Sequence, residues 1–366
     1  MEALMASNPL QSLKALGQSV WLDNLPRRLL IDGSLQRLIT EDGLSGITSN
    51  PSIFQKAISE SEHYQEDILR LRNAAPDSES RYEALVVPDV QAACDLLRPV
   101  FDATHGDDGY VSLELNPQLA HDLESTLNAA ERLRRDVGRD NLLLKVPATP
   151  TGIQAFEELI ARGFKINVTL MFSLHHVRDV FAAYVRGMRR WVGARCDPRE
   201  VKAVASLFLS RVDTLVDQQL SAIGSAEALA LRGRTAVATA KAAYQHFLHV
   251  FHGPDFADLL IAGARPQYLL WASTGTKHPD YSDLLYVEPL IGPQTINTMP
   301  EATLAAFRDH GRAAPTLTED VAEAEQTLAR LAALGIDLEG SVAEQLQQEG
   351  MRLFEASFAR LLELVS

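Results

Sequence analysis

Short apolar segments alternate with longer segments of helical periodicity along most of the chain. The apolar segments predict eight strands, at residues 19–23, 43–48, 110–114, 141–146, 164–169, 201–206, 267–272 and 285–287. Short and mostly apolar runs are typical of parallel strands that are covered on both faces. The intervening segments predict helices near 26–42, 87–104, 118–137, 151–162, 173–191 and 213–263.

About eight alternations of strand and helix predict an α/β protein, specifically a (β/α)8 (TIM) barrel with additional helices. A doubly wound open sheet is the alternative, although no Gly-rich nucleotide fingerprint follows the first strand. We predict one domain over residues 1–366, with helical inserts at about 55–105 and 213–263. A helical C-terminal tail, at about 300–366, is expected to pack on the outside of the barrel.

Charge and cysteine content narrow the class of protein. The 366 residues include 34 Lys and Arg against 48 Asp and Glu, a net charge of −14, which disfavours coating of nucleic acid or of anionic lipid. No apolar run approaches the about 18 residues of a membrane span. The two cysteines, Cys94 and Cys196, are typical of a reducing compartment, and Met1 to Gln11 lacks the pattern of a signal peptide. We therefore expect a cytoplasmic protein.

Polar side chains recur where the predicted strands end, which is where a parallel barrel carries its catalytic groups. These residues are Asp23, Asn50, Glu114, Lys145, Asn167, Thr169 and Ser206. Lys145 is the least expected, because it follows three leucines and burial of an ammonium group requires partners. Desolvation favours the free amine of a lysine, which can then form a Schiff base. The alternative is a strand-end lysine in an ion pair with Glu114 or Asp23.

Four segments of the chain resemble the signature blocks of transaldolases. The first two are Gly46-Ile-Thr-Ser-Asn-Pro-Ser-Ile-Phe54 and Leu142-Leu-Leu-Lys-Val-Pro-Ala-Thr-Pro-Thr-Gly-Ile153. The other two are Ile166-Asn-Val-Thr-Leu-Met-Phe-Ser173 and Ala205-Ser-Leu-Phe-Leu-Ser-Arg211. The resemblance covers nearly the whole chain in the right order. It implies a barrel of the class I aldolase group, with Lys145 as the Schiff-base lysine and without a cofactor.

The resemblance also implies a reaction and roles for individual residues. A dihydroxyacetone unit would pass from sedoheptulose 7-phosphate or fructose 6-phosphate to glyceraldehyde 3-phosphate or erythrose 4-phosphate, in the pentose phosphate pathway. Asp23 would be the general base, unless it only caps the helix near Pro26, and Glu114 would relay protons with Thr169. Asn50, Asn167 and Ser206 would bind the retained unit, although Asn50 before Pro51 could simply form a turn.

The phosphate of the sugar requires local cations, because the chain as a whole is acidic. Arg211 matches a family arginine that follows the sixth strand, and its guanidinium suits phosphate geometry. Better-known relatives carry a second arginine shortly after the serine that matches Ser273. Gly275 and then Lys277 follow here, so we expect Ser273 and Lys277 to complete the phosphate site, whereas a loop lysine could also be merely solvated.

Two rival functions remain at this level. The first is a fructose-6-phosphate aldolase, but those relatives are shorter and have glutamine and tyrosine at the positions of Glu114 and Phe208. The second is a catalytically silent barrel that binds sugar phosphates. His246, His249 and His252 are spaced by three residues, so they point in successively different directions around a helix and are not expected to bind one metal ion. No metal site is predicted. The expected partners are sugar phosphates, with the chain a monomer or homodimer.

Overall fold

Eight parallel strands form a closed barrel in the computed structural model, which describes residues 8–72 and 77–366. Each strand pairs with the next in sequence, and the last pairs with the first. The strands are β1 (Gln18–Leu22), β2 (Gly46–Thr48), β3 (Tyr110–Glu114), β4 (Leu142–Pro147), β5 (Ile166–Met171), β6 (Ala203–Phe208), β7 (Tyr268–Ala272) and β8 (Thr295–Met299). The predicted (β/α)8 barrel is confirmed. Residues 1–7, at the start of the predicted domain, and residues 73–76, in the first predicted insert, lie outside the described residues.

Helices surround the barrel and account for most of the described residues in both predicted inserts. In the described residues they are α1 (Pro9–Ala15), α2 (Arg27–Ile31), α3 (Ser34–Glu41), α4 (Pro51–Glu60), α5 (Gln65–Leu71), α6 (Ser78–Ala103), α7 (Leu123–Val137), α8 (Pro150–Ile160), α9 (Leu174–Gly193), α10 (Ser210–Ile223), α11 (Ala226–Ala230), α12 (Thr235–Phe251), α13 (Pro254–Ala262), α14 (Glu301–His310), α15 (Val321–Ala333) and α16 (Ser341–Leu364). None of these helices combines the length and apolar character that crossing a membrane requires.

Local sequence explains where several helices begin beside the mouth of the barrel. The side chains of Asn50, Thr149 and Ser173 accept hydrogen bonds from backbone N–H groups in the first turns of α4, α8 and α9. Pro51 and Pro150 occupy the first helical position, where a missing N–H costs nothing. These caps fix the turns in which strands β2, β4 and β5 pass into their helices, at the barrel end that holds the site.

The eighth strand was predicted at the wrong segment. Residues 285–287 precede a short 3-10 helix, and the strand is Thr295–Met299 instead. Residues 285–287 lie in a turn in which Tyr286 and Val287 are buried, and the Tyr286 carbonyl accepts a hydrogen bond from Asn297 Nδ2 at 3.1 Å. The true strand is polar in sequence because most of its buried polar groups are paired, as in the 2.7 Å contact between the Thr298 and Thr48 hydroxyls.

We expected the C-terminal tail to pack on the outside of the barrel, but its last helix does not. Instead, α16 contacts α4 and β5, and its Phe354 lines the cavity at the carboxyl ends of the strands. Gln347 Nε2 donates a 2.8 Å hydrogen bond to the Ala148 carbonyl and a longer one to the Leu170 carbonyl. This last helix therefore forms part of the wall over the barrel mouth, whereas α14 and α15 contact the outer helices α1 and α12.

Candidate active site

A cavity of about 890 Å³ opens at the carboxyl ends of the strands, where the sequence predicts the catalytic residues. It brings together side chains from seven strands or the turns that follow them. The predicted site residues that line it are Asp23, Asn50, Lys145, Thr169, Ser206, Phe208, Arg211, Ser273 and Lys277. Glu114 and Asn167 lie behind this surface, each in contact with a residue that lines it.

Lys145 is buried at the base of the cavity, with only 4% of its surface exposed. Its Nζ lies 2.9 Å from Glu114 Oε2 and donates a 2.9 Å hydrogen bond to the Ser49 carbonyl. Lys145 and Glu114 are register partners on the neighbouring strands β4 and β3, which explains their contact. The ion pair that the sequence left as an alternative is therefore present, and the amine also faces the cavity.

Glu114 has the environment of a carboxyl that can hold a proton. Burial raises the pKa of Glu114, and the positive charge and hydrogen bond of Lys145 oppose that rise. Thr169, which lines the cavity beside Lys145, has a buried Oγ1 without a hydrogen-bond partner. A buried hydroxyl in that condition is available to bind a substrate oxygen or water.

Asp23 directly follows β1 and lines the same cavity as Lys145. Its Oδ1 accepts a 2.7 Å hydrogen bond from the Thr48 hydroxyl. Burial raises the pKa of Asp23, against the hydrogen bond from Thr48 and the charges of Lys145, Lys277 and Arg211. The helix that begins at Arg27 receives no side-chain cap, so Asp23 is not the capping residue considered as an alternative.

The three residues expected to bind the retained sugar unit occupy different depths. Asn50 Oδ1 caps α4 by accepting from the Ile53 N–H at 3.0 Å, and the residue also lines the cavity. Ser206 lines the cavity and donates a 2.7 Å hydrogen bond to Asn167 Oδ1. Asn167 is fully buried behind Ser206, so its contact with substrate stays a prediction, whereas its support of Ser206 is direct.

Two cationic residues face the cavity from the sixth and seventh strand ends. Arg211 is in the first turn of α10, with its guanidinium carbon 5.6 Å from the centre of the Phe208 ring. Burial lowers the pKa of Arg211, while the charges of Glu349 and Asp23 oppose that change. Ser273 has a positive φ of 56° and shares a 2.8 Å hydroxyl contact with Ser210. Lys277 lies farther out and is exposed.

The wall that α16 contributes was not foreseen from the sequence. The Phe354 ring centre lies 5.8 Å from Lys145 Nζ, so an aromatic face covers the amine. Gly350 allows α16 to approach, because a Cβ there would lie 2.9 Å from Leu170 Cδ2 and 3.6 Å from an Arg211 nitrogen. Leu170 itself has a positive φ of 58° beside a bulge in β5, a strained conformation for this residue.

Other lining residues were also missed by sequence reasoning. Thr48 and Thr298 line the base of the cavity, and Arg28 and Lys56 lie at its rim. Thr48 belongs to the Gly46 to Phe54 block, so its position at a strand end was a usable signal. Thr298 carried no such signal, because β8 was assigned to another segment.

Comparison with known proteins identifies the family of this chain. A family model described as transaldolase/fructose-6-phosphate aldolase matches residues 20–365. The chain belongs to this family. It is 56% identical over 355 residues to a transaldolase of Thiobacillus denitrificans, covering 97% of this chain and 99% of that relative. A transaldolase of Neisseria gonorrhoeae is 45% identical, covering 96% of this chain and 98% of its own. One of Mycobacterium bovis is also 45% identical, with 98% and 97% covered.

These similarities confirm the predicted family membership and the prediction that the chain is an enzyme of that family. The family description places sugar phosphates among the substrates of its members.

Proposed function

We propose that this chain is a transaldolase that transfers a dihydroxyacetone unit between sugar phosphates through a Schiff base on Lys145. The observation that carries this proposal is a buried strand-end amine, 2.9 Å from a carboxylate, on a cavity that it shares with Asp23. The donor would be sedoheptulose 7-phosphate or fructose 6-phosphate. The acceptor would be glyceraldehyde 3-phosphate or erythrose 4-phosphate.

Formation of the imine uses Lys145, Glu114 and Thr169. Lys145 Nζ attacks C2 of the ketose, and the resulting carbinolamine loses water to give the protonated imine. Glu114 takes the proton that the ammonium group must lose and returns one to the departing hydroxyl. Its raised pKa suits both steps, because a carboxyl that titrates closer to neutral pH exchanges protons more readily. The Thr169 hydroxyl orients the water that leaves.

Cleavage of the C3–C4 bond then uses Asp23. Its carboxylate removes the proton of the C4 hydroxyl, the C3–C4 bond breaks, and its electrons pass to the imine to give an enamine. The remaining aldose phosphate leaves, and the enamine carbon attacks the carbonyl of the acceptor. The resulting alkoxide takes the proton back from Asp23, and water then hydrolyses the new imine. The raised pKa of Asp23 allows the same group to act as base and as acid.

Transfer is favoured over release of free dihydroxyacetone by the wall of the cavity. Phe208 presents an aromatic ring packed 5.3 Å, between ring centres, from Phe172. A phenylalanine has no hydroxyl with which to orient an attacking water, whereas the tyrosine of the aldolase relatives has one. An enamine that is shielded from water survives until an acceptor arrives.

The phosphate of each sugar would bind between Arg211 and the Ser273 loop. Ser210 and Arg211 occupy the N-terminal turn of α10, where the helix dipole favours an anion, and the Ser210 N–H donates a 3.1 Å hydrogen bond to the Ser273 carbonyl. Asn50 and Ser206 would hold the hydroxyls of the retained unit, with Asn167 orienting Ser206. We further propose the pentose phosphate pathway and the cytoplasm as the setting, and a monomer or homodimer as the assembly.

Reductive trapping tests the proposal directly. We expect borohydride, added to the enzyme with fructose 6-phosphate, to fix a three-carbon unit to the chain and to abolish its activity. Peptide mass analysis should locate this unit on Lys145. The same protein treated with borohydride in the absence of sugar is the control and should stay active. A protein that is unlabelled, or labelled on another lysine, would contradict the proposed mechanism.

Replacement of Arg211 tests the phosphate site separately from the chemistry. We expect Arg211→Ala to lower kcat/KM for glyceraldehyde 3-phosphate by about 10²-fold, since a charge-assisted contact to the anion is lost. The value for unphosphorylated glyceraldehyde should fall by less than about threefold. Arg308→Ala, on the outer helix α14, is the matched control and should leave both values unchanged. Equal losses with the two acceptors would remove the phosphate role of Arg211.

A further inference from the structure

The loop between β7 and β8 carries the second cation of the proposed phosphate site, and this inference rests on that site. Residues 273–287 include two side chains that can be positive, Lys277 and His278. Lys277 lines the cavity but is exposed. A lysine is a point charge on a flexible stem, so its contribution to anion binding depends on how firmly the backbone beneath it is held.

Two tyrosines of this loop bind two carboxylates of α10. The Tyr281 hydroxyl donates a 2.6 Å hydrogen bond to Asp217 Oδ2, and the Tyr286 hydroxyl donates a 2.9 Å bond to Asp213 Oδ2. Asp213 and Asp217 are four residues apart and therefore lie on the same face of the helix. The helix that begins beside Arg211 thus holds the loop that carries Lys277.

The segment that leads into α12 completes this connection. Asp217 Oδ1 accepts from the Gly233 N–H at 2.9 Å, and Asp213 Oδ1 accepts from the Ala236 N–H at 2.8 Å. Each carboxylate therefore bridges the loop and the chain around the start of α12, with Gly233 before the helix and Ala236 in its first turn. Gly233 has a positive φ of 69°, and a Cβ there would lie 2.8 Å from Tyr281 Cζ. Glycine at this position is what allows the tyrosine to reach Asp217.

The ring of Tyr281 also supports the residue next to Lys277. The His278 ring stacks on it with 4.6 Å between centres, and His278 Nε2 lies 3.3 Å from an Arg232 nitrogen. The Thr276 hydroxyl donates a 2.8 Å hydrogen bond to the Ser282 carbonyl, which closes the turn on the other side of Lys277. The loop is therefore held on both sides of the lysine.

We infer that Tyr281, through its hydrogen bond to Asp217, is a positioning residue that holds Lys277 opposite Arg211 for the phosphate of the substrate. A fixed loop provides the second cation that Gly275 does not supply. Tyr281 does not itself line the cavity, so it acts on binding of the phosphate and not on the imine chemistry. Replacement of Tyr281 should therefore leave activity with unphosphorylated acceptors unchanged.

The experiment compares two acceptors that differ only in the phosphate. With fructose 6-phosphate as donor, kcat/KM is measured for glyceraldehyde 3-phosphate and for glyceraldehyde. The ratio of the two values reports the phosphate contribution, since in a ping-pong reaction kcat/KM for one substrate does not depend on the other. We expect Tyr281→Phe to lower this ratio by about fivefold to tenfold, through KM and not kcat. Gly233→Ala, which displaces the ring, should lower it in the same way.

Tyr184→Phe is the matched control. It removes a tyrosine hydroxyl that donates a 2.6 Å hydrogen bond to the Arg265 carbonyl, away from the loop. This variant should keep the ratio of the wild-type enzyme. Thermal melting of all variants checks that the fold is retained.

A double-mutant cycle decides whether Tyr281 acts through Lys277. Lys277→Ala should lower the ratio, and Tyr281→Phe should have little further effect in that background. Additive losses, an unchanged ratio in Tyr281→Phe, or equal losses with both acceptors would overturn the inference. Failure of the proposed function would be distinct, because the wild-type enzyme would then use neither acceptor.

Discussion

Lys145→Ala is expected to lose at least about 10⁴-fold in transfer activity and to take up no label in the borohydride experiment. The reason is that this amine lies at the base of the cavity, with its partner Glu114 directly behind it. The fold should survive the substitution. Without the opposing charge of Lys145, we expect burial to raise the pKa of Glu114 further, which favours the neutral carboxyl.

Lys241→Ala is the control for this experiment. Lys241 is a mostly buried lysine on α12 that donates hydrogen bonds to the Thr316 and Glu319 carbonyls, and it does not line the cavity. This variant should be labelled on Lys145 and should turn over at the wild-type rate. Residual transfer by Lys145→Ala with a new labelled lysine would mean that another amine is the nucleophile.

The end of each strand was the most informative part of the sequence. In a parallel barrel all the strands end on the same side, so polar residues at strand ends converge without any knowledge of long-range contacts. Asp23, Lys145, Thr169 and Ser206 illustrate this, since each was located from a short apolar run and each lines one cavity. The contact of Glu114 with Lys145 follows from the register of two neighbouring strands.

Contacts between distant segments were beyond the same reasoning. Gln347 reaches the Ala148 carbonyl across 199 positions of sequence. The apolar stripe of α16 predicts that one face is buried but does not say against which surface. The prediction of β8 was wrong for a different reason. The strand is polar, and its side chains find partners only in the folded chain, where Thr298 contacts Thr48 of β2 and Asn297 donates to the Tyr286 carbonyl in the β7–β8 loop.

Asp23→Asn provides the second decisive experiment. We expect kcat to fall by about 10²- to 10⁴-fold, because the amide cannot take the proton of the C4 hydroxyl. The imine should still form on Lys145, so borohydride should trap the entire ketose phosphate instead of a three-carbon unit. The side chain keeps its size, and its oxygen can still accept the hydrogen bond from the Thr48 hydroxyl.

The pH dependence of the wild-type enzyme provides an independent measure of the same group. Because burial raises the pKa of Asp23, kcat/KM should begin to fall at a higher pH than an ordinary carboxyl would give, as the base becomes protonated on acidification. Asp42→Asn is the matched control, because Asp42 is a buried carboxylate that accepts a hydrogen bond from Arg308 and does not line the cavity. This variant should keep the three-carbon adduct and the pH profile of the wild-type enzyme. A three-carbon adduct formed by Asp23→Asn at the wild-type rate would assign the cleavage step to another base, since the C3–C4 bond cannot break while the C4 hydroxyl retains its proton.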